Sequence, residues 1–301
     1  MRQVEQPTIQ PDEVLVRVHA SSVAISDWFW LTGTPPIMRP ASGILSPRDP
    51  ILGRDLAGVV EAIGGEVEDL APGDEVYGEV SAGAHAEFVA APADLITRKP
   101  ANVSFEEAAA APLAGVTALQ GPRDSGGIEA GQQVLINGAS GAVGTFAVQI
   151  ARAFGAEVTG VASKRNLELV RSIGADDVID YTAEDYTGGS RRYDLIFDLA
   201  GSHGIRANRR VLTSNGRYVA STSRLSVLLR AALIGPLSGG QVRVFAAKSS
   251  KVDLEALRDL IEAGPVKPVI DQRYPFEQTP DAFRDQGAGH AQGRKVISIA
   301  T

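Results

Sequence analysis

The sequence contains no cysteine. That excludes a disulfide framework, a thiolate nucleophile and every cysteine-ligated zinc site. The four histidines, His19, His85, His203 and His290, are scattered without a close ligand pair, so the simplest reading is a metal-free protein. No uninterrupted apolar run approaches the roughly 20 residues needed to span a bilayer. The most apolar stretch, LSVLLRAALIGPL (residues 225–237), carries Arg230 and breaks at Gly235-Pro236, which reads as a buried or interface helix. The amino-terminal MRQVEQPTIQPDEVLVRV has no apolar core of the secretory kind, and a cytoplasmic protein is expected. Internal repeats, low-complexity segments and long single-sign charge blocks are missing as well. With a net charge of −7 spread in this way, nucleic acid and membrane are set aside as partners in favour of a small-molecule substrate.

What is present is a 301-residue chain with 44% hydrophobic content, enough to build two cores. From residue 12 to about 100, β-rich runs (EVLVRVHA, LAGVVEAIG, DEVYGEV, AEFVAAP) separated by Gly, Pro and Asp predict an irregular antiparallel barrel. A proline-rich segment, residues 33–50, interrupts them and is expected to line a cleft. From about residue 105 the texture changes. Ser104 is a suitable N-cap for the alanine-rich SFEEAAAAPLAGVTALQ, after which QVLING, EVTGVAS, DDVIDY, YDLIFDLAG, GRYVAS and VRVFAA read as strands. AVGTFAVQIARAFG and NLELVRSIG between them read as helices, and this alternation predicts an α/β domain with a doubly wound parallel sheet. A helix at 251–264 follows, and the β-rich tail beyond it predicts a carboxyl end folded back onto the first domain.

Gly138, Gly141 and Gly144 stand between the first strand and helix of that sheet. Glycine is needed there where the chain turns tightly, where backbone meets a pyrophosphate, and where helix packs on strand. The spacing is one residue longer at the first turn than the strict dinucleotide pattern, but its strand and helix flanks are as required. Gly138, Ser140, Gly141, Ala142, Val143 and Gly144 are therefore the expected phosphate-binding residues. The next strand ends in Ser163, Lys164 and Arg165, where NAD binders carry an acid for the ribose 2′-hydroxyl. Hydroxyl and cationic donors suit a 2′-phosphate instead, with Tyr181 at the end of the third strand as a further contact, so NADPH is the expected cofactor.

With these motifs in place, the chain resembles the medium-chain dehydrogenase/reductase superfamily, in its zinc-independent, quinone-oxidoreductase-like branch. The resemblance runs nearly end to end and rests on VLVRVHASSVAISDW, PILGRDLAGVVEAIG, PGDEVYGEV, AAAAPLAGVTALQG, the phosphate loop, GADDVIDY, RYDLIFDLAG and GHAQGRKVIS. It implies a GroES-like catalytic and substrate domain, residues 1–112 with 252–301, and a Rossmann NADPH-binding domain, residues 113–251. Arg54, in GRDLAG, replaces the histidine of the zinc-dependent relatives. The implied reaction is hydride transfer from NADPH to a quinone or to a carbon–carbon double bond conjugated to a carbonyl. Zinc-free alcohol or aldehyde reduction, and a non-enzymatic NADPH-binding sensor or scaffold, are the alternatives. Two departures bear on activity: Ala24 and Ile25 stand in place of the Asn-Pro of a family segment beside the nicotinamide, and relatives carry a further strand ahead of the first one here.

Thr117 matches the family threonine near the nicotinamide, and Asp27 the aspartate of the Asn-Pro-x-Asp segment; these two are the candidate catalytic residues, with a helix cap as the rival role for Asp27. Trp28 and Trp30 either line an apolar pocket or belong to the core. His85 has a pKa suited to proton transfer but reads as structural, and no proton donor is assigned. By resemblance the edge strand QVRVFAA (241–247) pairs with its symmetry mate in a homodimer, with residues 225–237 covering part of the interface.

Overall fold

The structure, a computed structural model, describes residues 3–34, 39, 49–222, 224–289 and 292–299. Most of the proline-rich segment expected to line a cleft (35–38 and 40–48) lies outside the described residues, as does His290. The chain forms two compact units. One takes the chain up to Leu113, Ser249–Ala263 and everything from Pro268 onward; the other takes Ala114–Lys248 and Gly264–Lys267.

The first unit is organised by β1 (Glu13–Val23). Along one edge it pairs antiparallel with β2 (Asp55–Ile63), which continues to β3 (Glu75–Glu79) and β5 (Ile96–Arg98). Along the other edge Glu13–Arg17 pair with β4 (Phe88–Pro92), and Ala20–Val23 pair with β13 (Arg294–Ser298). One strand serves two neighbours because register shifts at Leu15/Val16 and Val18/Ala20 bend it between them. Val14, Val16 and Val18 alternate inward and pack with Leu56, Val60, Val76 and Ile96. β12 (Ile270–Pro275) pairs with β13 in parallel, a departure from the antiparallel expectation. The helix between them, Thr279–Ala288, supplies the crossover that a parallel pair requires.

The second unit is a six-stranded parallel sheet. Its strands, β6 (Gln133–Asn137), β7 (Glu157–Ala162), β8 (Asp177–Asp180), β9 (Tyr193–Asp198), β10 (Leu212–Ala220) and β11 (Val242–Val244), lie in the order β11-β10-β9-β6-β7-β8. β11 is an edge strand, shorter than expected because its partner β10 ends at Ala220, whose carbonyl accepts the last bond of the ladder from Phe245 N–H at 2.9 Å. The alanine-rich segment before the sheet splits into two helices, Phe105–Ala109 and Pro112–Gln120, since Pro112 has no N–H with which to continue the first. Ser104 caps the first as expected: its hydroxyl accepts from Glu107 N–H at 3.2 Å and its own N–H donates to the Glu107 carboxylate at 2.9 Å.

Candidate functional site

In the second unit the strand order reverses between β9 and β6, and the loop that follows β6 opens at that switch point, where open α/β sheets bind ligands. The three loop glycines have three different reasons to be glycine. Gly138 has φ +92°, a left-handed conformation that side chains resist. At Gly144 a Cβ would stand 2.1 Å from the Gly138 carbonyl oxygen, so close packing of helix on loop forbids one. Gly141 has φ −77°, and its Cβ would meet only the Gly138 oxygen, at an ordinary 3.5 Å. Nothing within the chain asks for glycine at position 141. It is the N-cap of the twelve-residue helix Ala142–Ala153, and no side chain caps that helix. The first-turn N–H groups of Ala142, Val143 and Gly144 therefore face outward with the positive end of the helix dipole, and the bare Gly141 backbone leaves room for an anion beside them. These residues fit the pyrophosphate of a dinucleotide.

The end of β7 lies next in the sheet, and the residues expected at the ribose end of the cofactor gather there. Ser163 is half-buried and Lys164 and Arg165 are exposed in a short turn, with Asn166 N–H closing it on the Ser163 carbonyl at 2.8 Å. Tyr181 is exposed and reaches the same edge, because Ala162 and Asp180 are register partners of β7 and β8. Sequence reasoning missed Asn166. Its buried amide donates to Ser140 Oγ at 2.9 Å and so ties this turn to the phosphate loop; an asparagine closing the turn after SKR was the available signal. It also missed an anion. Asp180, its pKa lowered by hydrogen bonds from Thr182 and by the N–H and charge of Lys164, sits beside the cationic turn, so Lys164 has an internal counter-charge. At the ends of β6 and β9, Asn137 donates to buried Asp198 at 2.8 Å, and the same carboxylate accepts from Tyr218 at 2.7 Å and from Gly201 N–H at 2.8 Å. This network fixes the floor of the switch point. Thr117 is buried on the helix Pro112–Gln120 of the same unit.

The first unit holds a separate buried charge cluster. Asp27 is only 2% exposed, and its carboxylate accepts from Ala24 N–H at 2.8 Å, the reciprocal half of a helix cap for Ile25–Thr32. Burial raises its pKa to about 6, against the opposing pull of that hydrogen bond and of Arg294 and Arg54. Asp55, fully buried, accepts from Ser22 Oγ and Leu113 N–H, both at 2.9 Å, and pairs with Arg294. Arg54 pairs with Glu79 at 2.5 Å. His85 lies 2.9 Å from Ser21 Oγ through Nδ1; the Ser21 hydroxyl donates to the Asp55 carbonyl, so the histidine must be the donor to Ser21. Desolvation lowers its pKa to about 4, which leaves it neutral and structural. Trp28 packs in a small core with Val23, Tyr274 and Phe283, and Trp30 is half-buried. No role for Arg294 or Glu79 was legible, because their partners are distant in sequence.

Residues 10–101 match the family model described as alcohol dehydrogenase GroES-like domain, and residues 173–297 the one described as zinc-binding dehydrogenase. The chain is 33% identical over 330 residues to the mitochondrial NAD(P)H oxidoreductase RTN4IP1 of Mus musculus, across 96% of this chain and 82% of that one. It is 34% identical over 304 residues to the chloroplastic NADPH-dependent alkenal/one oxidoreductase of Arabidopsis thaliana, across 97% and 73%. Among solved structures, the quinone oxidoreductase from Coxiella burnetii superposes with a TM-score of 0.86 at 26% identity, across 98% of this chain and 93% of that one. The donor set here does not fit a zinc ion. Cysteine is absent, Arg54 is engaged with Glu79, and among the described residues no group of three His, Asp or Glu is arranged to hold a metal. In fold, in motifs and in its relatives, the chain belongs to the medium-chain dehydrogenase/reductase superfamily of oxidoreductases, in the quinone-oxidoreductase-like branch.

Proposed function

We propose that the protein is a zinc-independent, NADPH-dependent reductase of quinones or of α,β-unsaturated carbonyl compounds. The observation that carries the nucleotide part is Gly141, a position with room for a Cβ and no need of glycine except toward a ligand. The backbone of Gly141 and the N–H groups of Ala142, Val143 and Gly144 would hold the pyrophosphate, while Ser140, anchored through Asn166, keeps loop and turn in register. Ser163 and Arg165 would meet the 2′-phosphate by hydroxyl and guanidinium, and Tyr181 would flank it. When bound, the cofactor supplies the hydride. Thr117 is proposed as a polar contact beside the nicotinamide. Asp27 is proposed to hold helix Ile25–Thr32 through its cap, since a carboxylate 2% exposed is poorly placed to touch substrate. The name of the alkenal/one oxidoreductase relative supports conjugated carbonyls as the substrate class, and that of the Coxiella burnetii structure supports quinones.

Oxidation of NADPH should be followed in stopped flow against a panel of quinones, enones and saturated aldehydes, with analysis of the product from an unsaturated aldehyde. A saturated aldehyde as that product supports the proposal. An allylic alcohol favours carbonyl reduction, and no turnover with tight NADPH binding favours the sensor. We also propose a homodimer formed by pairing the exposed edge of β11, where Val244 is 41% exposed. A monomeric mass in light scattering would reject it.

A further inference from the structure

β7 ends without the acid that NAD binders carry, yet an acid stands beside it, supplied by the neighbouring strand. Ala162 at the end of β7 and Asp180 at the end of β8 are register partners, and Tyr181 N–H donates to the Ala162 carbonyl at 3.2 Å. This register sets Asp180 against the turn that holds Ser163, Lys164 and Arg165. Its carboxylate accepts from Lys164 N–H and feels the charge of the Lys164 ammonium. A backbone N–H and an ammonium are also what a 2′-phosphate would engage, so two anions would share one set of donors.

The local fold asks for the oxygen of Asp180 and not for its charge. Oδ1 accepts from Thr182 N–H at 3.0 Å and from the Thr182 hydroxyl at 2.7 Å, which closes the end of β8 as an Asx turn. Asparagine carries the same oxygen and closes the same turn. The charge matters instead to what lies beside it, and there the two nicotinamide cofactors differ in one group. NADPH brings a phosphate of roughly −1.5 to −2, which a carboxylate repels. NADH brings a hydroxyl, which can donate to a carboxylate as it does to the acid of NAD binders.

On the cofactor placement given above, we propose that Asp180 is a specificity residue, accepting from the ribose 2′-hydroxyl of NADH and repelling the 2′-phosphate of NADPH, so that the protein binds both with a narrowed preference for NADPH. Lys164 and Arg165 pull toward the phosphate and Asp180 pulls back. The test is isothermal titration of the full chain and of Asp180→Asn with NADPH, NADH, adenosine 2′,5′-bisphosphate and adenosine 5′-monophosphate. Asp180→Asn should tighten NADPH and the bisphosphate at least about fivefold, the effect of removing one unit charge about 4 Å away in water. NADH and the monophosphate should bind no more tightly than before. In 1 M salt, where the Debye length is about 3 Å, the gain should shrink below about twofold, whereas a change in the shape of the turn would persist. A preference for NADPH over NADH that Asp180→Asn leaves unchanged, or shifts equally at low and high salt, would overturn the proposal. So would weaker NADPH binding, since Asp180 would then be ordering Lys164 for the phosphate. If the unmodified protein binds none of the four, the cofactor placement fails and the proposal with it. NADPH binding that ignores Asp180→Asn rejects the proposal alone.

Discussion

Replacing each loop glycine in turn by alanine separates what the fold requires from what a ligand requires. At Gly141 the backbone already lies at φ −77°, and the new methyl would make one ordinary contact at 3.5 Å. Gly141→Ala should therefore leave stability unchanged or raise it by about 0.4–1 kcal/mol, through loss of unfolded-state freedom. Gly138→Ala forces a side chain to φ +92° and should cost about 1–3 kcal/mol. Gly144→Ala puts a methyl 2.1 Å from a carbonyl oxygen of its own loop and should cost a similar amount or more. For NADPH the order reverses in part. If the pyrophosphate lies against Gly141, its methyl displaces it from the helix terminus, and loss of one charge-assisted hydrogen bond, about 1.5–3 kcal/mol, weakens binding roughly 10- to 100-fold. Urea unfolding reads the first quantity and fluorescence titration with NADPH the second. A Gly141→Ala protein of full stability that binds NADPH as tightly as the unmodified one would refute this placement of the cofactor.

The unmodified protein should bind NADPH more tightly than NADH, and Lys164→Ala with Arg165→Ala should erase the difference by weakening NADPH alone; equal affinities at the outset would sink the assignment. Turnover should survive exhaustive chelation, and elemental analysis should find no stoichiometric zinc; activity lost to chelator and restored by zinc would overturn the metal-free reading. Two buried groups should shape stability against pH in opposite senses. Asp27 binds its proton more tightly folded, so its contribution falls as pH rises from 3.8 to about 6, whereas His85 binds its proton less tightly folded, so its contribution is lost as pH falls from 6.5 to about 4. Each amounts to about 3 kcal/mol, and Asp27→Asn should unmask the His85 slope in denaturant melts taken across that range, where an unchanged profile would contradict the assignment.

The sequence alone determined whatever is local in its physics. The capping box at Ser104 and Glu107, the glycines that open the Ala142–Ala153 helix and the alternation of strands and helices from β6 to β8 each depend on residues a few positions apart, and each was legible, whereas the helix Ile205–Arg210 between β9 and β10 was not read. The family, too, was legible, because its motifs are contiguous. Tertiary structure decided what depends on distant partners. Arg294 meets Asp55 across 239 positions of chain, and no spacing rule announces such a pair. Asp180 lies beside Lys164 only because β7 and β8 are register partners, and that neighbour changed the reading of the cationic turn. Asp27 was ambiguous between chemistry and cap until its burial and its bond to Ala24 were known, since the same carboxylate suits either role. The stretch 225–237 was legible as a buried or interface helix, but that Val227, Leu228 and Ala231 turn inward while Leu229, Leu233 and Leu237 turn outward was not, because hydropathy along a chain does not say which side of a helix a core will cover.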